Sequence, residues 1–364
     1  LALEKTVAGS LFWRPNAIDK GEMMPRKKFV PLQRISVLLT LIFLASAADA
    51  TAQSKEVIEG ARKEGQLVFY SGIPIPDAKA ILAVLEAKYP FLKTTFYRAT
   101  GPALVSRIQT EQRAGTHVWD VMNSTGFEPY VLLEQGYFAK YESAERKHFP
   151  EGHKDNDGMW ATMYTTPMIV SYNTRLVSPG DLPKQYDDLL SPKWKGRLAL
   201  DSSDFEWYAN LRKVWGAEKV QKFLDGLKKQ DVRLVQGRAL LTGLLSSGEM
   251  AILVNNFLQN VIEAKRKGSP VEFLALDPVV SAAGLVGINR LAPHPNAAKL
   301  FVDFVLSREG QELIVKTDRS SVRKDVVGNP LDLIKNARIV PSDLSLGKNY
   351  VQIRDEYRDL LGVK

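Results

Sequence analysis

Cysteine is absent from all 364 residues, which excludes disulfides, thiolate metal sites and a cysteine nucleophile. Histidine is scarce. His117, His148, His153 and His294 are the whole set, none at the spacing of an HExxH metal motif, and His148 and His153 read as part of a polar loop. Beyond residue 52 there is no GxSxG, GxGxxG or GxxxxGKS/T element. Long basic runs with interleaved aromatics are also missing. Lys193-Trp194-Lys195 and Lys265-Arg266-Lys267 are short clusters, so nucleic acid is not an expected partner. No apolar run reaches the roughly 20 residues that cross a bilayer.

What is present is ordinary globular composition, 45% apolar and 25% charged, with length for two domains. Residues 1–22 lack a starting Met and show no clear period; they read as upstream translation, with a start at Met23 or Met24. Residues 23–52 have the layout of a cleaved signal peptide. Arg26, Lys27, Lys28 and Arg34 precede an apolar stretch of 14 residues, Ile35 to Ala48, and small residues follow. That layout predicts export to the periplasm. The net charge is +8; the first 52 residues hold seven basic and four acidic side chains, which leaves +5 for the rest. A modest positive field suits an anionic solute.

From residue 55 the pattern repeats: apolar strand, small polar turn, amphipathic helix. Leu67–Tyr70 runs into Ser71-Gly72, Lys93–Arg98 into Thr100-Gly101-Pro102, and Trp119–Met122 into Ser124-Thr125-Gly126. From about residue 165 the same unit returns. Arg197–Leu200 leads to Asp201-Ser202-Ser203-Asp204, Val232–Val235 to Gln236-Gly237-Arg238, and Ala251–Val254 to Asn255-Asn256-Phe257. Such alternation predicts an α/β fold with mainly parallel sheets, whose ligands bind at the carboxyl ends of the strands.

Four segments carry a family resemblance. Asp187–Arg197 (DDLLSPKWKGR) resembles an Asp-Leu-x-x-Pro-x-Trp-Lys-Gly element, and Ile169–Thr174 (IVSYNT) a crossing-strand motif. Gly248–Asn256 (GEMAILVNN) resembles a Gly-Glu element before a ligand-facing strand end, and Pro295–Gln311 a late helix pair. In this order they resemble the extracellular solute-binding proteins of ABC importers, in the ferric-iron, polyamine, thiamine and phosphonate group. The resemblance implies a type II periplasmic binding fold of two α/β lobes joined by two crossing strands. Lobe 1 is expected over 54–168 and 281–335 and lobe 2 over 169–280, with 336–364 a tail packed on the outside. It also implies a small-molecule solute in the cleft, an ABC permease in the inner membrane as partner, and a monomer. No catalysis, metal or cofactor is implied.

In the ferric members of that group a His or Gln, a Glu and a Tyr-Tyr pair hold the metal. The matching positions here are Ile73 and Pro74, Thr125, and Phe257-Leu258, so the iron ligands do not carry over. The expected contacts are instead neutral donors, Ser71, Gly72, Thr100, Gly101, Ser124 and Thr125 from lobe 1 and Ser202 from lobe 2, with the Asp201 carboxylate at a strand end as a further cleft contact. Trp207 and Phe257 are expected to cover an apolar body, and Asn255 and Asn256 to fix orientation. These donors suit a small organic anion: a carboxylate, phosphonate, sulfonate or phosphate ester. Ferric iron and polyamine are the alternatives within the group. A secreted sensor for a membrane receptor and a secreted hydrolase are the alternatives outside it. Ser203 with Glu206 reads as a helix capping box. The hydrolase reading lacks a base at the lobe-1 turns.

Overall fold

A computed structural model describes residues 55–363. The expected leader over 1–52 lies outside the described residues. Within them, no helix is long and apolar enough to cross a membrane.

The first lobe opens with helix α1 (55–64), which buries Val57 and Ala61. It continues with β1 (Gln66–Ser71), α2 (Ile75–Lys88), β2 (Lys93–Arg98), α3 (Gly101–Arg113), β3 (Val121–Thr125) and α4 (Glu128–Glu134). Strand β1 lies between β2 and β3, parallel to both. Its side chains alternate between two cores, as a strand covered on both faces requires. Leu67 and Phe69 enter one cluster with Phe301, while Tyr70 enters the other with Leu104, Ile108 and Trp119.

Next comes β4 (Ala161–Asn173), buried along its whole length. The second lobe follows with β5 (Leu198–Asp201), α5 (Phe205–Trp215), α6 (Ala217–Lys229), β6 (Arg233–Val235), α7 (Arg238–Ser247), β7 (Ile252–Phe257), α8 (Leu258–Arg266) and β8 (Val271–Leu274). Strand β5 is parallel to β6 and β7. Here too β7 alternates: Ile252 and Val254 face the cluster around Trp207 and Phe223, and Leu253 faces Leu241 and Val261.

Then β9 (Val279–Ile288) returns to lobe 1, followed by α9 (Pro295–Leu306), α10 (Arg308–Val315), β10 (Ile339–Pro341) and α11 (Tyr350–Leu361). The sheet order is β2-β1-β3-β9-β4-β7-β5-β6, so β9 and β4 are the two crossing strands. Residues 161–167 of β4 pair antiparallel with β9, and residues 168–173 pair with β7 and β8. Between Pro167 and Met168 this continuous strand passes from the sheet of one lobe to that of the other.

The end of the chain departs from the expected layout. Ile334 packs with Leu241, Val261 and Val271 of lobe 2, so the return into lobe 1 ends before residue 335. The tail is not an outer layer either. Tyr357 of α11 is wholly buried beside Phe205 and Tyr208, and its hydroxyl donates to the Asp201 carbonyl at 2.7 Å. An aromatic of that size contributes core area that a surface strap does not.

Candidate ligand-binding cleft

The carboxyl ends of the strands from both lobes open onto one cleft of about 820 Å³. Lobe 1 contributes Gly72, Thr100, Gly101, Ser124 and Thr125 to its wall; lobe 2 contributes Ser202 and Phe257. The structure thus brings seven of the twelve expected residues together. Thr100 precedes α3 without making a side-chain cap, which leaves its exposed hydroxyl free of that duty. The Thr125 hydroxyl lies 3.1 Å from that of Tyr164. Tyr164 has room there because Gly284 of β9 has no side chain; a Cβ would fall 2.5 Å from the Tyr164 ring.

The other five are buried and do not line the cleft. Ser71 donates to the Asn123 side chain at 3.0 Å and accepts from the Ile73 amide, so it holds the first turn in place. Asp201 accepts from the amide and hydroxyl of Ser203 and from the Gly237 amide, which ties two turns together. Asn255 donates to Asp204 at 2.7 Å, and Asn256 to Ser171 and Thr242. Trp207 is fully buried among Tyr186 and Phe223. A polar group at a strand end satisfies its neighbours first when it is out of reach of water.

Several wall residues were not among the expected contacts. Asp204, the N-cap of α5, forms a buried ion pair with Arg238, whose guanidinium also sits 3.8 Å over the Phe257 ring. Burial pushes the Asp204 carboxyl up, while Arg238 and the Asn255 amide pull it back. Arg319 lines the cleft with its charge paired to Asp77 at 2.6 Å. From the tail helix, Tyr350, Arg354 and Arg358 reach the wall at one-turn spacing.

Two carboxyls complete the site. The expected capping box does not form: Ser203 spends its hydroxyl on Asp201 and the α5 N-cap is Asp204, so Glu206 faces the cleft instead. Burial pushes Glu206 up to about 7, and the charge of Glu128 adds to that shift. Glu128, at the start of α4, is itself raised by burial. A titratable group thus stands beside the third lobe-1 turn, on the first residue of α4. His153 is not a solvated loop residue; burial lowers it to about 4, and it lies apart from the cleft wall. Among the described residues no three His, Asp or Glu converge as a metal site.

The chain is similar to known proteins over most of its length. An uncharacterized protein of Haemophilus influenzae is 24% identical over 326 residues, covering 86% of this chain and 90% of that one. The major ferric iron-binding protein of Neisseria meningitidis is 28% identical over 182 residues, 47% of this chain and 53% of its own. In structure, the periplasmic binding protein AfuA from Actinobacillus pleuropneumoniae superposes with a TM-score of 0.71 at 23% identity, over 82% of this chain and 99% of that one. The sequence model for bacterial extracellular solute-binding proteins matches residues 130–343, more than half of the chain. This protein therefore belongs to the bacterial extracellular solute-binding proteins, a family of binding proteins that capture small-molecule solutes and work with ABC permeases.

Proposed function

We propose that the protein is the periplasmic, monomeric substrate-binding component of an ABC importer. Its cargo is a small organic anion: a carboxylate, phosphonate, sulfonate or phosphate ester. The observation that carries this reading is the convergence of helix starts. Helices α3, α5, α7 and α8 begin at Thr100, Asp204, Gly237 and Phe257, all four N-caps line the cleft, and none makes a side-chain cap. Each helix start leaves amide N–H groups without an intrahelical partner and carries about half a positive charge. An anion is the ligand such an array accepts. Hydroxyls of Thr100, Ser124 and Ser202 and the aromatic faces of Tyr164 and Phe257 would hold the rest of the solute. AfuA was solved with fructose-6-phosphate bound, which supports a phosphate ester among the candidate anions.

Ferric iron is the second reading, because the relative from Neisseria is a ferric iron-binding protein. The side chains at the ligand positions oppose it: Ile73 and Pro74, Thr125, and Phe257-Leu258 offer one hydroxyl and no anionic oxygen.

Closure of the lobes on a solute would stabilise the native state by mass action, by about 2.7 kcal/mol at a hundredfold excess over Kd. Thermal melts of the full chain with carboxylates, phosphonates, sulfonates, phosphate esters, polyamines and Fe(III) test the reading. A rise of several degrees with one class of organic anion is expected. Stabilisation by Fe(III) alone, or by polyamines alone, would overturn it.

A further inference from the structure

We propose that the solute carries a protonated amine besides its anionic group, and that Glu128 of lobe 1 and Glu206 of lobe 2 receive this amine from opposite walls of the cleft. The inference rests on the anion reading above and narrows it to a zwitterion.

The acids of the cleft fall into two kinds. Asp204 already has a cation, Arg238, and an amide, Asn255. Glu128 and Glu206 have no ion pair among the described residues, yet both line the cleft. Glu206 is the more telling, since its Oε1 is buried and accepts no hydrogen bond. A carboxylate oxygen removed from water without a donor is costly, and an ammonium would supply that donor. Nor does Glu206 serve the helix, because Ser203 turns to Asp201 instead of forming the capping box.

Glu128 is seated by the backbone. Gly126 adopts φ +103°, and a Cβ there would fall 2.3 Å from the Glu128 Oε2; a Cβ on Gly101 would fall 3.3 Å from Oε1. Both turns leave open the space that the carboxylate fills. The two acids also feel each other, since Glu128 raises Glu206. The other groups near Glu206 are Asp204, which acts in the same direction, and Arg238 and the Ser342 hydroxyl, which oppose.

Two carboxylates on opposite lobes repel as the lobes approach, and a purely anionic solute adds to that repulsion. An ammonium placed between them reverses the sign and supplies three donors. The anionic end then has the helix starts and Arg358, which has no ion pair among the described residues and lies 5.9 Å from the Phe205 ring.

The test is isothermal titration calorimetry of the full chain with pairs of probes that differ only in the amine. The pairs are O-phosphoethanolamine against ethyl phosphate, aminoethylphosphonate against ethylphosphonate, taurine against ethanesulfonate, and β-alanine against propionate. In at least one pair the amine-bearing probe should bind about tenfold tighter or more, as expected for charge-assisted hydrogen bonds. Glu206→Gln and Glu128→Gln should each collapse that ratio towards one, with melting curves checking that the variants fold. Equal affinity within every pair that binds, or a ratio that survives both substitutions, would overturn the amine seat while leaving the anion reading intact. Binding of ethanolamine as tight as of O-phosphoethanolamine would overturn the anion reading and the zwitterion with it. Stabilisation by Ca²⁺ alone would assign the two acids to a metal and overturn the proposal.

Discussion

The two lobes present the same strand-turn-helix corners to the cleft but spend their polar side chains differently. In lobe 1 Ser71 is committed to holding a turn, while the hydroxyls of Thr100 and Thr125 stay at the wall. In lobe 2 Asp201, Asp204, Asn255 and Asn256 are all engaged with protein neighbours. The difference is burial. Asp204 cannot stay ionised in the interior without partners, so it holds Arg238 and the Asn255 amide, while Asp201 and Asn256 are taken by neighbouring amides and hydroxyls. Contact with solvent passes to their neighbours in sequence, Ser202 and Phe257. A polar strand end is thus available to a ligand only where no buried neighbour competes for it.

Breaking the lobe-2 network should have the largest effect. Arg238→Met removes the cation and strands the Asp204 carboxyl, whose side chain has no exposure. Loss of one partner of a buried pair costs about 3–5 kcal/mol. Urea denaturation of the full chain measures it; a loss under about 1 kcal/mol would erase the distinction between the lobes. The next effect is pH dependence centred on Glu206. Its folded value is raised to about 7 from an ordinary 4.5, so the folded state favours the protonated acid. The stability this proton gives is complete below pH 4.5 and is lost as pH rises through about 7, with an amplitude on the order of 1–3 kcal/mol. Glu206→Gln should flatten that part of the stability profile. A profile that the substitution leaves unchanged would mean that another group titrates there.

The α/β alternation was legible in the sequence, because strands end in small polar turns and helices keep one apolar face; the two crossing strands came from the family resemblance. The lobe-1 corners were legible for the same reason. Asp201, Asn255 and Asn256 sit at strand-end turns as Thr100 does; what separates them is burial and polar neighbours that engage their side chains. Glu206 was hidden by a spacing that suits a capping box, a local signal that Asp201 overrides by capturing the Ser203 hydroxyl. The tail was hidden more deeply. No spacing announces that Tyr357 fills the core below Phe205, or that Arg354 and Arg358 reach a cleft built some 150 residues earlier.

The smallest effect on stability gives the finest view of the same contrast, within one lobe. Thr100 and Ser71 are both hydroxyls at lobe-1 turns. Thr100 is exposed at the wall and makes no cap, so Thr100→Ala should shift stability by no more than about 0.5 kcal/mol. Its cost should appear in affinity for the anion found by thermal melting, a loss of about five- to tenfold for one hydrogen bond. Ser71→Ala should do the reverse, because it leaves the buried Asn123 carbonyl oxygen without its donor, at about 1–3 kcal/mol of stability. Denaturation and calorimetry on the two variants separate the roles. If both variants lose stability and neither loses affinity, the lobe-1 turns are as internally committed as those of lobe 2, and the ligand is held elsewhere.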